Sequence, residues 1–409
     1  MRRLMPAALA LMYAIVPLLP SFIALTGVAF PGVSLVPRPL TYAVLALCAL
    51  LAIYAILLLV RYRAPGSQPL LLPFLSVFAA GLLADVVGFD PSSGLLFTFI
   101  GGMPIVWQAS IARFYGDRNV ATTLFWGYLI SGGVAAATAI AMVALRYPPL
   151  QYAITHGRAT GTFVLPGELA GYLIVLLPVA YVLGRVGRTQ ALRTASWIVF
   201  AIGIVALGMT YSRAGWMGFA AAAAFLVAVR TRHGAGGAAA VIAAGVLAVL
   251  ALFNAHHNPS EDYTRLAIWK AAVGIIDRFP LTGVGPFNFS HLYAVVHGPD
   301  ADATAFHAHS LYLTFLAEFG IVGICTIAWT IWRFISELRG RLARASAPAA
   351  FLALGVTAGL IGVAVQGLID TVSVVIFGLW MPTMGLALAA AAGGENGPTV
   401  DEQCDVSAL

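Results

Sequence analysis

The stretch T-A-F-H-A-H-S-L-Y-L-T-F-L-A-E-F-G-I-V-G, from Thr304 to Gly323, joins a polar, histidine-bearing approach directly to an apolar helix. In a membrane protein, His309 lies where this helix leaves the lipid. The positive end of the helix dipole disfavours an imidazolium at that position, so the ring is expected to stay neutral and able to accept a proton. His309 is therefore the candidate general base.

The composition around this stretch is that of a membrane protein. Hydrophobic residues make up 61% of the chain and charged residues 9%, with a mean hydropathy of +0.93, whereas about a quarter of a soluble domain is charged. The three cysteines are dispersed and predict neither a disulfide framework nor a zinc site. The net charge of +6 comes from scattered arginines without a basic block, so nucleic acid is not an expected partner.

Apolar windows of about 20 residues predict an all-α polytopic membrane protein with about twelve transmembrane helices. Arg2 and Arg3 precede the first window, and the excess of basic residues in alternate loops places both termini in the cytoplasm. We expect one transmembrane domain over residues 1–393 and a disordered cytoplasmic tail over 394–409. The windows are 5–29, 40–60, 70–89, 94–112, 120–144, 163–184, 194–210, 215–229, 238–254, 309–332, 349–369 and 373–392.

One connection is far longer than the others and lies on the outer side, over residues 255–308. Its segment 263–279 has apolar residues at helical spacing and ends before Pro280 and the turn Gly283–Gly285. We therefore expect an amphipathic helix there, followed by a second short helix over 287–296.

Several arginines lie outside, where topology does not require them. Arg213, in Thr210–Gly215, has two possible roles. Its side chain either extends to lipid phosphate at the membrane surface or binds a pyrophosphate through the planar guanidinium group. Arg265 lies on the loop helix near Lys270 and Arg278, a pattern that is also common in interfacial helices.

Other polar residues at the outer side allow more than one interpretation. Arg158 precedes a span opening at Pro166, where free backbone N–H groups favour anions. His307 is expected to point to another side than His309, so the pair need not act together, and no metal-binding spacing is present. Asp370 is either a partner for an outer Arg or His or an end charge, and the role of Glu168 is open.

The order of these motifs resembles that of the bacterial O-antigen ligase and polymerase superfamily, and the resemblance covers mainly residues 155–330. The motifs in chain order are Thr210-Tyr-Ser-Arg-Ala-Gly215, Arg265-x3-Trp269, Pro280-x2-Gly283-Val-Gly285 and His309-Ser-x-Tyr-Leu-x4-Glu318-x-Gly320.

The resemblance implies a GT-C-like glycosyltransferase of the bacterial inner membrane with a periplasmic active site. In the ligase branch, the enzyme moves O-antigen from undecaprenyl pyrophosphate to the lipid A core with inversion, using neither a metal ion nor another cofactor. His309 matches the family's essential histidine, and Arg213 and Arg265 match the arginines that meet the pyrophosphate. Arg158, Arg278 and Lys270 are expected to bind substrate in secondary roles.

Three alternatives remain open from the sequence. An O-antigen polymerase or a protein O-glycan ligase would use the same chemistry on another acceptor. A transporter of the lipid-linked glycan would need ionisable groups through the span centres, whereas charges such as Asp85 and Glu168 lie near the outer ends. The pattern therefore favours chemistry at the membrane surface.

Overall fold

A computed structural model of the chain describes residues 68–91, 118–163, 165–230, 234–256, 259–297, 305, 307–371 and 380–392, with scattered positions at 46, 50, 53 and within 101–112. Every regular element in these ranges is an α-helix. They are α1 (Leu71–Val87), α2 (Arg118–Leu145), α3 (Pro149–Ile154), α4 (Pro166–Val186), α5 (Gln190–Met209), α6 (Arg213–Arg230), α7 (Gly234–His256), α8 (Pro259–Arg278), α9 (Phe289–His297), α10 (Leu311–Leu342), α11 (Ala347–Gln366) and α12 (Trp380–Ala392).

Seven of these helices are long and apolar enough to cross a membrane. They are α2, α4, α5, α6, α7, α10 and α11, and each overlaps a window expected from the sequence. Helices α1 and α12 are apolar but shorter. The described part of the chain is therefore that of an all-α multi-pass membrane protein, as predicted.

Some sequence expectations fall beyond the described ranges. The window 5–29 and the tail 394–409 lie outside the described residues, and the windows 40–60, 94–112 and 373–392 lie there in part. The total of twelve spans, the GT-C-like fold and the domain limits stay predictions.

Helix α4 lies at the centre of the bundle, with 83% of its apolar window buried. It packs against α2, α5, α6 and α11. Small residues allow the neighbouring backbones to approach closely, as is typical of membrane helices. A Cβ atom added to Gly218 of α6 would lie 2.6 Å from the carbonyl oxygen of Gly362 on α11, so that crossing requires glycine.

The candidate residues lie near helix ends that meet at one end of the bundle, which we call the site end. The N–H of Leu311, at the start of α10, donates to the carbonyl of Gly367, just beyond α11 (2.8 Å). The N–H of Ala159, before α4, donates to the carbonyl of Met209, the last residue of α5 (2.9 Å). These backbone bonds fix which helix ends are adjacent.

Helices α8 and α9 confirm the two helices expected within the long connection. They begin and end within four residues of the expected limits, and both pack on α10. Their shared apolar core contains Ile268, Ile275, Phe289 and Leu292. The connection is therefore a folded layer on α10.

Helix α10 is broken at Gly320, where φ is 61° and ψ is −168°. The segment 280–285 docks into this break through four backbone hydrogen bonds of 2.9–3.0 Å. The N–H groups of Val284 and Gly285 donate to the carbonyls of Ala317 and Glu318. The N–H groups of Ile321 and Val322 donate to the carbonyls of Pro280 and Leu281. The glycines of the Gly283–Gly285 turn and of Glu318-x-Gly320 therefore belong to one structural joint.

Candidate functional site

His309 lies at the site end, one residue before Ser310, the N-cap of α10. The expectation that it stands at the start of this helix is confirmed. The helix start is anchored to α11, because the Tyr312 hydroxyl donates to the carbonyl of Ala364 (2.8 Å). This anchoring fixes the backbone that carries the histidine.

The side chain of His309 faces Asp370. Its Nδ1 lies 3.8 Å from Oδ1 of Asp370, slightly beyond hydrogen-bond length, and the two side chains are 27% and 16% exposed. Nδ1 is buried and has no hydrogen-bond partner in the structure. A small rotation of the ring would let Nδ1–H donate to the carboxylate, which would leave Nε2 as the atom that accepts a proton.

His307 contacts His309, contrary to the expectation that the two rings point apart. The rings lie 4.6 Å apart between centroids, nearly edge to face. The N–H of His309 donates to Nδ1 of His307 (3.2 Å). The expectation was wrong because residues i and i+2 share one face even in an extended segment; in the structure the φ of 47° at His309 turns the backbone, and the two rings are in contact.

Asp370 lies between His309 and the start of α4. Its Oδ1 accepts the N–H of Thr371 (2.8 Å), and a Cβ on Gly167 would overlap its Oδ2. Burial alone would raise the pKa of Asp370, but the facing His309 imidazole and the Arg265 guanidinium outweigh burial and hold this pKa below its ordinary value. This direction favours the ionised carboxylate, and the contact with His309 agrees with one of the two interpretations that the sequence allowed, a partner for an outer histidine.

Arg265 lies on the inner side of α8, near the two histidines and Asp370. It shares a helical face with the buried Ile268 and Ala272. Its charge shifts the pKa values of both His307 and Asp370. The structure thus brings Arg265 and His309 into one electrostatic environment, although 44 positions separate them in the numbering.

Arg213 begins α6 and reaches α8. Its Nη2 lies 3.2 Å from Oδ1 of Asp262, with side chains 21% and 43% exposed. Asp262 is one turn before Arg265 on the same helix, so the ion pair brings Arg213 to the part of α8 that bears Arg265. Sequence reasoning missed Asp262; the signal was an acidic residue three positions before the arginine.

Arg158 supports the turn that carries Arg213. Its Nε donates to the carbonyl of Thr210 (2.9 Å), and Ser212 caps α6 by accepting the N–H of Gly215 (3.0 Å). Arg158 therefore has a structural role at this turn, and the substrate contact expected for it stays a prediction. Glu168 also acts locally, because its carboxylate accepts the N–H of Leu165 at the start of α4 (3.3 Å).

Lys270 and Arg278 lie away from this group. Both are exposed on α8. Lys270 is five residues beyond Arg265, which places it roughly 140° around the helix from Arg265. Arg278 lies about 20 Å along the helix axis from Arg265. The structure does not bring these two cations to His309, so their expected substrate contacts stay predictions.

The described residues contain no cluster of side chains suited to bind a metal ion. Within those ranges, no group of three or more His, Cys, Asp or Glu side chains could hold a metal ion. The structure brings together the imidazole of His309, the carboxylate of Asp370 and the charge of Arg265, and the ion pair with Asp262 joins Arg213 to the helix that bears Arg265. Such a set can take up a proton and stabilise an anionic leaving group.

A comparison with known proteins finds similarity over part of this chain. Residues 198–328 match the family model described as O-antigen ligase, a range that includes Arg213, Arg265 and His309 but neither Arg158 nor Asp370. No curated protein matches the chain. Members of the matched family are glycosyltransferase-like enzymes. The match therefore supports an O-antigen ligase and polymerase type of segment over residues 198–328 of this multi-pass membrane protein, and it does not resolve the branch.

Proposed function

We propose that the protein transfers O-antigen glycan from undecaprenyl pyrophosphate to the lipid A core at the periplasmic face of the bacterial inner membrane. The observation that carries the proposal is the placement of His309, with Nδ1 3.8 Å from Asp370, within the segment that matches the family. The two arginines expected to meet a pyrophosphate approach the same helix ends.

His309 is the base in this proposal. The acceptor hydroxyl gives its proton to Nε2 as its oxygen forms a bond to the anomeric carbon. The bond from that carbon to the pyrophosphate oxygen breaks, and undecaprenyl pyrophosphate leaves with the electron pair. Attack from the face opposite the leaving group inverts the anomeric centre. A positioned base contributes on the order of 10²–10⁴ in rate.

Arg213 and Arg265 stabilise the leaving group. Negative charge grows on the pyrophosphate as the bond breaks, and guanidinium groups meet phosphate oxygens with paired N–H donors. Each charge-assisted hydrogen bond contributes about 1.5–3 kcal/mol. Arg158 acts indirectly, because it supports the turn before Arg213.

Asp370 orients the base. An ionised carboxylate facing Nδ1 favours the tautomer with a proton on Nδ1, so the lone pair lies on Nε2. The same charge stabilises the imidazolium after proton transfer. The pKa of Asp370, which the facing His309 and the Arg265 charge hold below its ordinary value against burial, supports the assignment.

The test is transfer by purified protein from lipid-linked glycan to lipid A core. His309→Ala should abolish transfer while the amount of folded protein is unchanged. Arg213→Lys should also be impaired, because an ammonium point charge does not reproduce the planar fork. His297→Ala serves as the matched control, since His297 belongs to α9 and should not affect the rate. Wild-type transfer by His309→Ala would refute the catalytic assignment.

A strain that lacks the gene for this protein distinguishes the branch of the superfamily and the acceptor. Long chains that accumulate on undecaprenyl carrier and are lost from the core indicate a ligase. Core that bears one repeat unit indicates a polymerase, and loss of glycan from a protein indicates a protein ligase. Movement of lipid-linked glycan across vesicles without transfer to any acceptor would indicate a transporter.

A further inference from the structure

The backbone turn at His309 is closed by a side chain. Nδ1 of His307 accepts the N–H of His309 at 3.2 Å. An acceptor on residue i that binds the N–H of residue i+2 is the arrangement of an Asx turn. Here an imidazole nitrogen takes the place of the usual Asn or Asp oxygen.

This closure occurs at a backbone conformation that needs support. His309 has a φ of 47°, in the left-handed region that residues with a Cβ rarely adopt. The turn has a second hydrogen bond, from the N–H of Ala308 to Oγ1 of Thr314 (3.2 Å). Thr314 Oγ1 also lies 3.3 Å from Oγ1 of Thr371, the residue after Asp370. The His309 turn and the Asp370 segment are therefore joined.

We propose that His307 is a positioning residue, whose unprotonated Nδ1 holds the His309 backbone in the left-handed conformation and so aims the His309 ring between Asp370 and the substrate. This inference rests on the proposed function, in which His309 is the base. His307 itself does not contact the reacting atoms in this scheme.

The role requires a neutral His307, because a protonated Nδ1 cannot accept a hydrogen bond. His307 is 7% exposed. Burial is the largest cause that lowers its pKa; the neighbouring His309 and the Arg265 charge on α8 act in the same direction and Asp370 opposes them, so that the pKa falls to about 3. The ring therefore remains an acceptor throughout the neutral and mildly acidic range.

Two substitutions distinguish the hydrogen bond that His307 accepts from the space that its side chain fills. His307→Asn keeps an acceptor suited to the same turn, whereas His307→Leu fills similar space without one. The Leu variant should lose up to about 10²-fold in kcat, the scale of a small misplacement of a catalytic group. Its KM for the lipid-linked donor should change little. The Asn variant should retain most of the wild-type kcat.

His297 provides a matched control. Its Nδ1 is also buried but accepts no hydrogen bond in the structure, so His297→Leu should leave kcat unchanged. Wild-type kcat in His307→Leu, or equal losses in the Leu and Asn variants, would overturn the proposal.

A readout without activity keeps this test separate from the proposed function. In ¹⁵N-histidine NMR spectra of the wild-type protein, His307 should show an unprotonated Nδ1 from neutral pH down to about pH 5. A protonated Nδ1 there would reject the positioning role even if His309 proves essential. Conversely, an unprotonated Nδ1 together with full activity of His309→Ala would reject the proposed function alone.

Discussion

Replacement of Gly320 by alanine should detach the segment 280–285 from α10. An added Cβ would overlap the carbonyl oxygen of Leu281 and would lie 2.5 Å from the backbone nitrogen of Gly283. Neither neighbour is a flexible side chain that could move aside. The docked segment therefore has to shift as a backbone unit.

The expected loss of stability has two parts. The φ/ψ pair of Gly320 (61°, −168°) is a region that is nearly restricted to glycine, and a side chain there costs about 1–3 kcal/mol. Four backbone hydrogen bonds join the segment to the break, each contributing about 0.5–1.5 kcal/mol. If half of them are lost, the total is roughly 2–6 kcal/mol.

Hydrogen exchange measures this effect locally. The amides of Val284, Gly285, Ile321 and Val322 donate the four bonds, so in Gly320→Ala they should exchange about 100-fold faster for each 3 kcal/mol lost. Gly340→Ala is the control on the same helix, because an added Cβ there meets nothing within 4 Å. Unchanged exchange at these four amides in Gly320→Ala would show that the joint does not constrain the helix.

Two further predictions concern charge. Asp262→Asn should lower the KM for the lipid-linked donor by up to about fivefold, because an exposed ion pair contributes about 0.2–1 kcal/mol and its removal releases Arg213 for phosphate. Steady-state kinetics measures this KM. An unchanged or higher KM would mean that Asp262 orients the arginine instead. Since the pKa of His307 falls from 6.5 to about 3 on folding, the unfolded chain binds more protons in this interval and stability should fall as the pH falls from 6.5. Between pH 7 and pH 4.5 the free energy of unfolding should fall by about 2–3 kcal/mol through His307. In unfolding experiments in detergent, this fall should be absent from His307→Asn. A pH profile in that variant identical to that of the wild type would contradict the prediction.

The sequence was a good guide to the helices and to the residues at their ends. Proline marks the starts of α4 and α8, and the expected windows overlap all seven membrane-length helices. His309 and Arg213 were singled out as titratable or charged groups at span boundaries, and the family resemblance added Arg265 on the loop helix. The family match over residues 198–328 includes the same three.

What the sequence did not reveal depends on backbone conformation. Gly320 lies within an apolar helix where glycine is ordinary, so the break could not be distinguished from close helix packing. His307 was set aside because its ring was expected to point away from His309, whereas the two rings lie 4.6 Å apart between centroids. Asp370 had several possible partners until the structure placed it beside His309.

The meeting of distant residues at the site end follows from the cost of charge in lipid. An ionisable side chain at the bilayer centre is costly, so the chemistry of such a chain is confined to the ends of its spans. Arg213 begins α6, His309 precedes α10 and Asp370 follows α11. Successive membrane helices run in opposite directions, so the start of one helix and the end of the next return to the same side. Residues 213, 309 and 370 can therefore meet without any long-range sequence signal, provided that the bundle brings their helices into contact. The backbone bond from Leu311 to Gly367 provides this contact for His309 and Asp370, and the ion pair of Arg213 with Asp262 provides it for α6 and α8.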